Sequence, residues 1–166
     1  MTPHFKDVEQ LPVSHRVTVP DDWTDVNGHM NVRHYLGVHD TAVEALFSGL
    51  GFDQAFVDTR RRSFFDLEHH LEYHREVLQG DQITAHVRVL GRSAKVVHAM
   101  SYVLNRRTRE VASTMECATA HVDLVTRRTV ALLDEHTTAL DATVAEHAAL
   151  AWQSQTCGVI GVSKKR

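Results

Sequence analysis

A single long helical repeat stands ahead of a stretch that otherwise alternates, and that order restricts the chain more than any other feature. Tyr35, Leu36, His39, Ala42, Val43, Leu46, Phe47 and Leu50 recur at helical spacing, with Asp40, Thr41, Glu44 and Ser48 on the opposite stripe. Asn31 is a suitable N-cap for this helix, and Gly49 and Gly51 mark its stop. Before it, Val13, His15, Val17 and Val19 alternate with polar residues as a strand that Pro20 ends. After it, from about Ser63 to Val125, the chain reads as four strands joined by turns at Gly80-Asp81, Gly91-Arg92 and the polar run Asn105 to Glu110. Phe65, Leu67, Leu71, Tyr73 and Val77 share one parity of the first of these. A second amphipathic helix is expected from about Thr138 to Gln153, followed by a short tail.

Strands in succession with tight connections make an antiparallel sheet, and its apolar face needs a cover. The first helix is the long apolar element available. The expected fold is therefore α+β: a curved antiparallel sheet of about five strands wrapped around one central helix. Such a sheet leaves an edge strand unpaired, which predicts a homodimer or a dimer of dimers.

The 166 residues fit one domain, with a core over about 13–133 and a C-terminal helix and tail over about 134–166. Cys117 and Cys157 form no C-x-x-C pattern, so neither a disulfide framework nor a thiolate zinc site is expected and a reducing cytoplasm is the natural setting. The N-terminal MTPHFKDVEQ carries acids and lacks a continuous apolar core, which argues against a secretory signal, and no apolar run is long enough to span a bilayer. A net charge of −3 gives no electrostatic footprint for nucleic acid. Arg60-Arg61-Arg62 and Lys164-Lys165-Arg166 are local basic clusters of the kind that solvated turns and tails carry.

Chemistry concentrates in Asp22-Trp-Thr-Asp-Val-Asn-Gly-His-Met-Asn, between the first strand and the helix. A helix start leaves backbone N–H groups unpartnered and carries partial positive charge, and Gly28 lets another molecule approach the chain. Those are the elements of an oxyanion site, and Asp25 is close enough upstream to return its carboxylate to the same mouth. Asp25, Asn27 and Asn31 are equally the residue types of turns and caps, and His29 suits the bracing of a loop.

The run D-V-N-G-H-M-N-V-R-H-Y, Asp25 to Tyr35, resembles the signature of hotdog-fold acyl-CoA thioesterases of the 4-hydroxybenzoyl-CoA thioesterase type. Its D-x-N-x-H-x-N core is also similar to that of plant acyl-carrier-protein thioesterases. With P-x-x-W at Pro20, L-E-H-H-L-E-Y-H-R-E-V at Leu67, Gly80, K-V-V-H at Lys95 and H-V-D at His121, the chain looks most like the betainyl-CoA thioesterases of carnitine breakdown, over about residues 15 to 130. The resemblance implies the hotdog fold, a catalytic acid at Asp25, and an oxyanion donor in the first helical turn on or next to Val32. It also implies edge-to-edge dimers with the active site at the interface, an acyl-CoA substrate, and no cofactor beyond the CoA of that substrate. His29, Asn27 and Asn31 are candidates to orient the carboxylate or a water.

For the acyl group the candidates are Trp23, Tyr35 and Tyr73, with Phe64 and Phe65 as further rings and Glu68 and His70 from the second matching stretch. Arg88, Arg92 and Lys95, flanking the Gly91 turn, are candidates for the CoA phosphates, joined by Arg60 to Arg62. The histidines at 29, 34 and 39, and at 69, 70 and 74, have spacings that make no convincing metal shell, and no metal is expected. A non-catalytic acyl-CoA sensor on the same fold is the competing class; the presence of Asp25 speaks against it.

Overall fold

The structure is a computed structural model that describes residues 3–162; the Lys164–Arg166 cluster lies outside them. Helix α1 (Phe5–Val8) leads to β1 (His15–Thr18) and a 3₁₀ turn over Asp21–Trp23. The central helix α2 (Val32–Gly49) follows, then α3 (Gln54–Arg60), β2 (Arg62–Tyr73), β3 (Gln82–Arg92), β4 (Val96–Asn105), β5 (Glu110–Asp123), the two-residue β6 (Arg128–Thr129) and α4 (Asp134–Ala148). The strands pair antiparallel in the order β1-β3-β4-β5-β2, with β6 added to β5. This curled sheet around α2 is the arrangement that the strand and helix order led us to expect, and the hotdog fold that the resemblance implies.

Helix α2 starts where Asn31 accepts the Arg33 N–H at 3.2 Å. It buries Tyr35, Val38, His39, Ala42, Val43 and Phe47 against the inner sheet face. One polar side chain is buried with them. His39 lies in line with two hydroxyls, Nδ1 2.8 Å from Ser101 Oγ on β4 and Nε2 2.9 Å from Ser113 Oγ on β5. Both ring nitrogens are thus satisfied by a neutral imidazole, and burial drives its pKa down to about 3.

Three expectations need correction. First, the parity of β2 is broken by a bulge between Asp66 and Glu68, where Leu67 has no partner on β5. Phe64, not Phe65, therefore faces the core, stacking on Phe47 at 4.3 Å, while Phe65 and Leu67 are 65% and 53% exposed. Second, the sheet has two covered faces. Phe5, Val8 and Leu11 join Met100, Tyr102, Leu104, Val111 and Trp152 in a second cluster on the outer face. The chain after α4 is fastened there by Tyr102, which donates to Ser154 Oγ, and by Glu116, which accepts the Cys157 N–H at 2.6 Å and sits 2.8 Å from His98 Nε2. Third, the C-terminal helix runs from Asp134 to Ala148, earlier than its pattern suggested, and α3 is an addition capped by Asp53, which accepts the Phe56 N–H at 2.9 Å.

Candidate active site

The loop ahead of α2 is a tight turn closed by its own backbone. Gly28 N–H donates to the Asp25 carbonyl at 2.9 Å, Asp25 N–H donates to the His29 carbonyl at 3.1 Å, and Gly28 has φ of 80°, a conformation that glycine adopts without strain. The turn is then tied down from two sides. Asn31 N–H reaches the Trp23 carbonyl at 2.8 Å, and Met30 N–H reaches the Val77 carbonyl at 2.7 Å. Val77 and Leu78 are themselves held by Asp81, whose carboxylate accepts the Leu78 N–H at 3.0 Å and the Asn105 side-chain N–H at 2.7 Å. A chain of backbone bonds therefore runs from the buried Asp81 to the mouth of α2.

Within the turn, the Asp25 carboxylate has a fixed direction. Oδ1 accepts the Asn27 N–H at 2.8 Å and Oδ2 accepts the Asn31 Nδ2–H at 3.1 Å, each oxygen keeping a lone pair. The Asn27 backbone N–H is the main reason its pKa lies below the ordinary aspartate value, with partial burial opposing it and Asn31 and His29 assisting. Asp25 is an ionised carboxylate at neutral pH.

The first-turn amides of α2 complete the geometry. Arg33 N–H is used by the Asn31 side chain and His34 N–H by the Asn31 carbonyl, whereas Val32 N–H meets no acceptor among the described residues. Asp25, His29, Val32, Tyr35 and Tyr73 line one groove of about 430 Å³. Tyr35 and Tyr73 meet edge to face at 5.1 Å, and burial raises the Tyr35 hydroxyl pKa to about 12, so it stays protonated. Asp25 and Val32, the first residue of α2, thus line one cleft at a helix start, where an amide without an acceptor among the described residues lies near a carboxylate.

Other expected residues are placed elsewhere. Trp23 stacks on His34 at 4.7 Å, outside the groove lining, and so buttresses the turn. Glu68 and His70, after the bulge, share the strand face of Glu116 and point away from α2 in their own protomer. Arg88 is corrected outright. Only 4% exposed, it donates to the Trp152 and His147 carbonyls at 2.8 and 2.6 Å and covers the Trp152 ring at 4.4 Å, so its fork is consumed in holding the C-terminal segment. Arg92 pairs with Asp141 at 2.5 Å and Lys95 is exposed; both lie at the far end of the sheet from the Asp25 turn. Met30, His74, Arg75 and Glu76 also line the groove. Sequence reading passed over them, although residues 74–76 close the stretch at Leu67 that carries part of the resemblance. His29, His34 and His39 go to three separate surroundings, and among the described residues no three metal-ligating side chains converge.

Comparison with known proteins gives the family. The profile of the Thioesterase-like superfamily matches residues 19–144. The chain belongs to that superfamily. It is 27% identical over 159 residues to a betainyl-CoA thioesterase of Pseudomonas aeruginosa, covering 96% of this chain and all of the relative. It is also 34% identical over 127 residues to an L-carnitine dehydrogenase/betainyl-CoA thioesterase of Agrobacterium fabrum, a longer protein of which it spans 26%. Among solved structures, a Staphylococcus aureus protein in complex with CoA superposes with a TM-score of 0.79 at 22% identity, over 86% of this chain and 90% of that one. The hotdog fold of the superfamily is the fold described above.

Proposed function

We propose that the chain, an acyl-CoA thioesterase, opens its substrate with the Asp25 carboxylate while the Val32 N–H holds the developing oxyanion. The observation that supports this reading is the shared groove: Asp25 and Val32 line the same cleft, and the Val32 N–H has no acceptor among the described residues. In the direct route, an Asp25 oxygen attacks the thioester carbonyl carbon, the C–S bond breaks, and CoA leaves as the thiol after taking up a proton. Water then hydrolyses the mixed anhydride, releasing the free acid and restoring the carboxylate. In the alternative route, Asp25 takes a proton from a water that attacks instead. A pKa held below the usual aspartate range makes Asp25 a feeble base, which favours direct attack. An aligned N–H contributes on the order of 3 kcal/mol to the oxyanion. His29, Asn27 and Asn31 orient the acid; Tyr35 and Tyr73 wall the acyl side.

The substrate in this reading is a small acyl ester of CoA such as betainyl-CoA, which the full-length similarity to the Pseudomonas relative supports. The decisive assay follows thiol release from a panel of CoA thioesters with a chromogenic disulfide. Asp25→Asn is expected to abolish release while leaving the thermal transition in place. Tight ester binding without release would instead make the chain a sensor. A single turnover in oxygen-18 water tests the direct route: unlabelled oxygen in the first product, with label left on Asp25, establishes attack by Asp25 followed by water at the aspartyl carbonyl, and label in the first product with none on Asp25 rejects that sequence.

A further inference from the structure

A second cavity, of about 450 Å³, lies between α2 and β2 towards the far end of the helix. Its floor is aromatic. Phe47 stacks on Phe64 with ring planes 10° apart, and Phe52 meets Phe64 edge-on at 4.9 Å. Its rim is acidic: Asp40, Glu44, Asp53 and Asp66 line it, and no Lys or Arg does. Asp53 is spent on the α3 cap and Asp66 lies 3.3 Å from His69 Nε2, but Asp40 and Glu44 form no ion pair among the described residues. Burial raises the pKa of the Asp40 carboxyl and the neighbouring Asp66 charge adds to the effect, while His69, already beside Asp66, opposes it only in part. Small metal ions want convergent oxygen ligands, and no such group forms among the described residues. Aromatic rings beside four carboxylates, with His69 the one basic side chain near them among the described residues, suit a bulky, weakly hydrated cation, above all a quaternary ammonium.

We propose that this cavity receives the cationic head of a short acyl group whose thioester is cleaved at Asp25 of a second copy of the chain. The proposal rests on the acyl-CoA reading above. Within one protomer, Val32 and Glu44 are twelve residues apart on α2, about 18 Å, which no two- or three-atom acyl chain spans. The helix runs antiparallel to β2, Tyr35 meeting Tyr73 and Phe47 meeting Phe64. A two-fold axis at the free β2 edge reverses that order. It lays the Phe64 end of one copy beside the Tyr73 end of the other, so each acidic cavity faces the other copy's groove.

The test compares trimethylammonioacetyl-CoA with 3,3-dimethylbutanoyl-CoA, two esters of the same shape that differ only in a charged nitrogen for a carbon. The wild type is expected to favour the cation by about tenfold or more in kcat/KM. Asp40→Asn with Glu44→Gln is expected to bring that ratio towards one, and a loss of folding cancels because it lowers both rates alike. A wild-type ratio near one, or a ratio that the double variant leaves unmoved, overturns the proposal. Calorimetric titration with the matching non-hydrolysable CoA thioethers keeps this separate from the hydrolytic reading. Cation preference in binding without thiol release retains the cavity and removes hydrolysis; equal binding with thiol release does the reverse. Mixed dimers of Asp25→Asn with Asp40→Asn/Glu44→Gln are expected to recover cation-selective turnover above both parents, and no recovery rejects the placement across subunits.

Discussion

Asp25 owes its charge to two donors of unequal reach. The Asn27 N–H comes from a backbone bend that Gly28 permits, whereas Asn31 supplies a side-chain amide six residues on, while its own oxygen caps α2. Since both donors favour the ionised form, the acid limb of kcat/KM is expected to fall at a pH below the ordinary aspartate value of 3.8. Asn31→Ala removes one donor and the cap together. It is expected to move that limb upward and to cost about 1 kcal/mol of stability from the lost cap. A pH–rate profile beside a urea titration reads both, and an acid limb near pH 6 would assign the titration to another group. Much of this arrangement was legible in the sequence, because D-x-N-G-x-x-N places a turn, a glycine and a cap in fixed order. His74, Arg75 and Glu76 were not, since they reach the groove only through the pairing of Met30 with Val77, which no local pattern encodes.

Elements differ in how far their own pattern decides them. Helix α2 was readable end to end because eighteen residues of apolar periodicity and a cap agree. Strand β2 was readable as a strand, but not by face: a bulge at Leu67 has no marker in sequence, and it exchanges the inward and outward sets on one side of it. Phe64→Ala is therefore expected to cost about 3 kcal/mol, and Phe65→Ala less than about 1 kcal/mol, in urea unfolding. The opposite order would place the bulge elsewhere. Between α2 and the sheet, His39 makes stability depend on pH. Its folded pKa of about 3 lies below the 6.5 of the unfolded chain, so the unfolded state alone takes up the proton. Stability from this group is complete above pH 6.5 and declines as the pH falls towards 3, by about 2 kcal/mol at pH 5. His86, His121 and His147, whose pKa values burial also lowers, act in the same sense. His39→Gln is expected to flatten only part of the acid slope of the denaturation midpoint; an unchanged slope would mean that His39 takes up its proton while the protein stays folded.

The outer cluster explains why so much of the sheet is apolar on both faces, a feature that alternation alone could not announce. Residues 111–120 of β5 are buried throughout, because α2 covers one side while α1 and the chain after α4 cover the other. The sheet then has two open edges, the four-residue β1 and the longer β2, and it is β2 whose Phe65, Leu67 and Tyr73 side chains stay half exposed or more and whose outer edge has no strand partner among the described residues. A twelve-residue strand with free backbone donors and acceptors and apolar side chains is a strong template for a second copy. The Asp25 groove opens beside the Tyr73 end of that edge, so in the proposed pairing a second copy stands next to it. Association and turnover are accordingly expected to be coupled. Phe65→Lys should set a charge into the apolar β2 edge, shift the protein to monomers in sedimentation velocity, and reduce thiol release steeply as the enzyme is diluted, with Asp25 and the helix start untouched. Activity per chain that stays constant over a hundred-fold dilution of a demonstrably monomeric variant would show that one protomer suffices, and would confine the reaction to the groove of a single chain.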